Sequence, residues 1–165
     1  MGLRGPGAKA IKRREETTGT TQPPVIPHAW EAEGLSRGEK VCAFVESLPV
    51  TSGTLAGTQF KLRPWQRRRI LDMYWTNRAG KRQVRTAVWS LARKNGKTDV
   101  ASRLALCHFA GPEAEERGEV YSAANDRFQA GRIFAEICAI IVKTPWLEER
   151  VSIRRHSKEL EDIGG

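Results

Sequence analysis

The stretch Ser90–Ser102, SLARKNGKTDVAS, decides how the rest of the chain is read. Gly96-Lys97-Thr98 matches the end of the phosphate-loop pattern G-x-x-x-x-G-K-[ST], but the position five residues before Gly96 holds Leu91 instead of a glycine. Upstream, Thr86–Leu91 is short, apolar-rich and β-prone. Downstream, Lys97–Phe109 carries Val100, Leu104 and Cys107 or His108 at helical spacing and closes at Gly111-Pro112. Strand, loop and helix form the setting in which such a tripeptide cradles phosphate. Backbone N–H groups curl around the oxygens, and the helix adds its positive N-terminal end. Outside that setting, Gly96 is a turn residue and Lys97 a solvated side chain.

Working outward, the order repeats. Glu119–Ala123 (EVYSA) reads as a strand. Asp126–Lys143 reads as a helix with Ala130, Phe134, Ile137, Cys138 and Ile141 on one face, stopped at Pro145, and Val151–Arg154 opens a third strand. Upstream, a helix starts near Ser36 or Arg37 with Val41, Phe44, Val45 and Leu48 as one apolar stripe. A second is led by Pro64, with Trp65, Ile70, Met73 and Tyr74 inward, and breaks at Asn77, Gly80 and Lys81. Strands alternating with helices predict an α/β fold built on a parallel sheet flanked by helices. Residues 1–35, rich in Gly, Pro, Thr and charge, read as a mobile basic arm and linker ahead of a folded unit over 36–165.

Composition sets the class. The 165 residues are 39% hydrophobic and 28% charged, with a net charge of +9. That balance reads as globular, and no apolar run is long enough to cross a membrane. The N-terminus has no apolar core of a secretory signal. Cys42, Cys107 and Cys138 are far apart and form no C-x-x-C pair, so a reducing cytoplasm is expected and neither a disulfide framework nor a zinc knuckle is. Between Lys61 and Lys97 stand twelve Lys or Arg against one acid, Asp72, interleaved with Trp65, Tyr74, Trp75 and Trp89. Such a field attracts nucleotides or nucleic acid. His28, His108 and His156 have no partner at metal-ligand spacing, and Asp126 is expected to cap its helix.

The segment ARKNGKT resembles the deviant phosphate loop (Walker A) of the terminase large subunits of tailed bacteriophages, loops that often lack the first glycine and carry an arginine ahead of G-K-[ST]. LRPWQ, Leu62–Gln66, looks like that family's adenine-recognition segment, and Tyr121–Leu147 looks like its next strand and helix. The resemblance covers roughly residues 40–165. It implies a P-loop ATPase fold with ATP and Mg²⁺ as cofactors. Lys97 would bind the β- and γ-phosphates and Thr98 the magnesium ion, while Gly96 and the N–H groups of Lys94 and Asn95 cradle phosphate. Arg93 would stabilise charge or sense the nucleotide, and Gln66 would read adenine with Trp65 or Phe60 nearby. It further implies double-stranded DNA, a terminase small subunit and a portal protein as partners, a homo-oligomeric ring at full length, no membrane, and the cytoplasm of a bacterial host.

The sequence also departs from that family. No apolar strand ending in Asp-Glu (a Walker B segment) is found, and Leu160-Glu161-Asp162 follows Lys158-Glu159 instead of an apolar run. The coupling motif and the acid cluster of a nuclease domain are not found either. The expectation is an N-terminal portion of an ATPase domain that binds ATP but turns it over weakly or not at all by itself. Two other readings remain: a different P-loop motor of helicase type, and a basic nucleic-acid-binding module without nucleotide chemistry.

Overall fold

The computed structural model describes residues 28–164. Helix α1, Arg37–Ser47, starts where its capping box requires. Ser36 Oγ accepts from Glu39 N–H, and Glu39 Oε2 accepts from Ser36 N–H at 2.9 Å. Its predicted stripe is the centre of the core, with Val41, Phe44, Val45 and Leu48 fully buried. Helix α2, Pro64–Met73, opens on proline and turns in Ile70; Tyr74, just past its end, is buried too, whereas Trp65 and Met73 are only half-buried. Helix α3, Lys97–Ala110, packs between α1 and helix α4, Arg127–Val142. Helix α5, Pro145–Arg150, follows at once and leads into an antiparallel hairpin of β1, Val151–Arg154, and β2, Glu159–Asp162.

Asp126 is the N-cap of α4, its Oδ1 accepting from the N–H groups of Phe128 and Gln129 at 2.8 Å. Of the expected arm and linker over residues 1–35, residues 1–27 lie outside the described residues. The following stretch is seated on the core: Trp30, in a single 3-10 turn over Ala29–Glu31, is 7% exposed and packs edge-on against Phe44 and beside Trp146.

The expected parallel sheet is not seen among the described residues. Among the described residues the only ladder is the β1–β2 hairpin, in which the predicted third strand runs antiparallel. Thr86–Leu91 and Glu119–Ala123 lie outside any ladder, with Val88 89% and Tyr121 83% exposed. The physical reason is that β-branched, apolar sequence supplies only a tendency. A buried strand also needs a hydrogen-bonding neighbour and apolar cover on both faces, and neither segment has them here.

Candidate functional site

The junction between the extended segment and α3 is shaped by backbone conformation. Gly96 is the N-cap of α3 with φ +69° and ψ 26°, in the left-handed region where glycine carries no Cβ penalty. Lys94, two residues earlier, also has positive φ, +64°, which a lysine adopts only at a cost. No side chain caps α3, and its first intrahelical backbone bond is Val100 N–H to Gly96 C=O at 3.1 Å. The N–H groups that open the helix are therefore directed at the loop, together with the positive end of the helix dipole.

Lys97 reaches back over the loop. Its Nζ donates to Leu91 C=O and, at 3.3 Å, to Ala92 C=O. Leu91, at the place where the pattern has glycine, thus contributes its carbonyl to hold the lysine. Thr98 stands exposed on the first turn, and Arg93 and Lys94 are exposed as well. Asn95 is half-buried, its Nδ2 donating to Ala92 C=O at 3.3 Å.

The LRPWQ segment converges on the same loop. Gln66 is 3% exposed, and a Cβ built on Gly96 would meet its Nε2, and Asp99 Oδ2, at 3.5 Å. The amide is partly engaged in structure: Gln66 Oε1 accepts from Arg63 N–H at 2.9 Å, the N3-to-N-cap half of a capping box. The Trp65 and Trp89 rings lie 6.4 Å apart, linking the start of α2 to the segment that enters the loop. Phe60 is placed elsewhere, its ring 4.0 Å beneath the guanidinium of Arg103.

Arg103, which sequence reasoning passed over, is 1% exposed. Burial lowers its pKa and the nearby Glu136 carboxylate opposes that shift. The signal for it was available: in KTDVASRLALC, Arg103 sits at i+3 from Val100 and i−4 from Cys107, on the apolar face of α3. The basic stretch, in contrast, lies mostly on the surface. Arg68, Arg69, Arg78, Lys81 and Arg85 are exposed, while Arg67 pairs with Glu46 at 3.0 Å. Among the described residues no group of three or more His, Cys, Asp or Glu side chains is placed to hold a metal ion.

Comparison with known proteins settles the family. The sequence profile described as "Terminase large subunit, ATPase domain" matches residues 64–162, from the first residue of α2 to the last of β2. The chain belongs to the terminase large-subunit ATPase family. It is 37% identical over 127 residues to the terminase large subunit of Enterobacteria phage HK97, which spans 76% of this chain and 24% of that protein. The crystal structure of the HK97 large terminase superposes with a TM-score of 0.69 at 35% identity, over 79% of this chain and 26% of that one. The chain therefore spans about a quarter of the length of the relatives it matches. Its mixed helix-and-strand architecture is that of the corresponding part of the terminase ATPase.

Proposed function

We propose that this chain binds Mg²⁺-ATP at the N-terminus of α3 as the nucleotide-binding element of a phage DNA-packaging motor. The observation that carries this reading is the uncapped helix N-terminus behind a left-handed Gly96, with Lys97 folded across it. The junction suits a polyphosphate. Free N–H groups and the helix dipole meet the oxygens, and the absence of a Cβ at Gly96 leaves room for close backbone approach.

The residues divide the work by chemistry. Lys97 would exchange its two carbonyl acceptors for β- and γ-phosphate oxygens, a stronger, charge-assisted pairing. Thr98, one residue on, would offer its hydroxyl to the magnesium ion, which neutralises phosphate charge when bound. Arg93 is on the exposed side of the loop, where a guanidinium would meet charge developing on the terminal phosphate. Gln66 would contact the adenine edge through Nε2, with its oxygen already partly held, and Trp65 offers an adjacent apolar face. The exposed arginines and lysines over residues 68–85 would face double-stranded DNA. A terminase small subunit, a portal protein, a ring of copies and the host cytoplasm complete the reading by family membership.

Titration calorimetry with ATP and Mg²⁺, on the wild type and on Lys97→Ala, tests it. Saturable binding that the substitution abolishes supports the reading. If Lys97→Ala leaves ATP binding intact, while the chain binds DNA with a steep salt dependence that Mg²⁺-ATP does not alter, a basic nucleic-acid-binding module is the better description.

A further inference from the structure

Arg103 makes an unusual set of contacts for a core position. Nη1 donates to Asp99 C=O in the first turn of α3 at 2.9 Å and lies 3.6 Å from Glu136 Oε1 on α4. Nη2 donates to Pro49 C=O at 2.7 Å, and the guanidinium carbon lies 4.0 Å over the Phe60 ring. Glu136 Oε1 also accepts from Thr51 Oγ1 at 2.7 Å, a second bond to the same loop. Nε has no partner, so the group is buried with one donor unmet.

A buried cation with an unmet donor is costly. Replacing such a buried charge by apolar side chains of similar volume is often neutral or stabilising. The geometry therefore points to a use for the fork itself. It joins three elements: the first turn of α3, α4, and the loop 48–60. That loop is closed on itself by Val50 N–H to Thr58 C=O and Phe60 N–H to Leu48 C=O. It runs directly into Leu62, whose N–H is held by Glu46 Oε1 at 3.2 Å, and on to Trp65 and Gln66. Gln66 then returns to Gly96. The chain running on from that loop thus reaches the Gly96 junction through Gln66, and Arg103 ties the loop to α3.

We infer that Arg103 is a positioning residue that holds the nucleoside-facing segment Leu62–Gln66 in register with the phosphate loop on α3. The inference rests on the nucleotide-binding reading above. Phosphate binding is local to the loop and α3, which carries Arg103 with it. Nucleoside binding needs the second element at a fixed distance. Loosening the tie separates the two contributions.

The test compares ATP with inorganic tripolyphosphate, both with Mg²⁺, by calorimetry on the full 165-residue chain. Arg103→Lys keeps the charge and loses the planar fork. The expected result is ATP affinity weakened about fivefold with tripolyphosphate affinity within about twofold of wild type, the size of coupling that residues outside a site exert on it. Glu136→Gln, which removes the charge partner but keeps an acceptor for Thr51, is expected to shift the same ratio in the same direction; it decides the matter if Arg103→Lys does not melt cooperatively. Equal losses for both ligands, or no loss with a lowered melting temperature, would make Arg103 a structural strut and overturn the inference. So would a wild type that binds the two ligands equally, because there would be no nucleoside contact to position. A wild type that binds neither ligand fails earlier, at the nucleotide reading itself.

Discussion

Replacing Gly96 separates two reasons a glycine can be required. A Cβ at this position would meet its nearest atoms, Asp99 Oδ2 and Gln66 Nε2, at 3.5 Å, ordinary van der Waals contact. Steric exclusion is therefore not the constraint. The backbone is: φ is +69°, and an L-residue with a Cβ holds that conformation at a cost of about 1–2 kcal/mol. Gly96→Ala should fold and lose about 1 kcal/mol, seen as a fall of about 2–4 °C in melting temperature for a chain of this size. Gly96→Asn should lose less, because asparagine tolerates the left-handed region. The same 1 kcal/mol reappears in binding. If alanine moves the loop out of the left-handed state, only a fraction of molecules presents the cradle, and apparent ATP affinity drops about fivefold. Thermal melts and calorimetry on both variants check this. A loss above about 3 kcal/mol for alanine would reveal a clash that the geometry excludes. Equal behaviour of alanine and asparagine would mean the left-handed cap is not what matters.

Three further expectations concern the scaffold. Glu113 has a side chain 3% exposed, held by Arg37 through two bonds of 2.6 and 2.8 Å with Arg82 at 4.0 Å. Arg37→Met should cost about 2 kcal/mol in urea unfolding, and a loss under 0.5 kcal/mol, roughly the effect of an ordinary surface change, would show that Arg82 and solvent suffice. Burial lowers the pKa of His108, whose Nε2 lies 2.7 Å from Tyr74 Oη. A depressed folded-state pKa means stability that is present above the unfolded value, about 6.5, and lost as pH falls below it. Stability should decline from pH 7 to 5 in the wild type and less so in His108→Gln, and parallel pH profiles would refute the assignment. Burial also raises the pKa of all three thiols, Cys42 to about 11, so a thiol reagent should label none in the native state and all three in denaturant.

The helices were legible because their signals are local. Ser36 marks the start of α1, Pro64 that of α2, and Asp126 that of α4; the stripe of α1 is fully buried, whereas Trp65, Met73, Leu104 and Phe134 of the other stripes are only half-buried. The sheet was not legible, because periodicity reports what a segment prefers and carries nothing about whether a ladder partner lies beside it. Thr86–Leu91 has the preference and no partner among the described residues. The site was legible in part. Gly96, Lys97 and Thr98 occupy the junction that their order implies, and Gln66 arrives beside them. Its place at N3 behind a proline at N1 follows from Arg63-Pro64-Trp65-Gln66, but its burial does not. The left-handed Lys94 was not legible, since long-range packing sets its backbone angle.

The loop ahead of α3 is anchored unevenly. On one flank stands α3, with continuous backbone bonding and a fully buried face; on the other, the extended segment enters the loop without a ladder. Ordering such a segment costs about 1–2 kcal/mol for each residue fixed. A ligand that needs the loop's entry strand in place bears that entropy itself. Any strand that pairs with Thr86–Leu91 beforehand removes it, so under the proposed reading nucleotide affinity would rise as a sheet is built and serve as a thermodynamic gauge of sheet assembly.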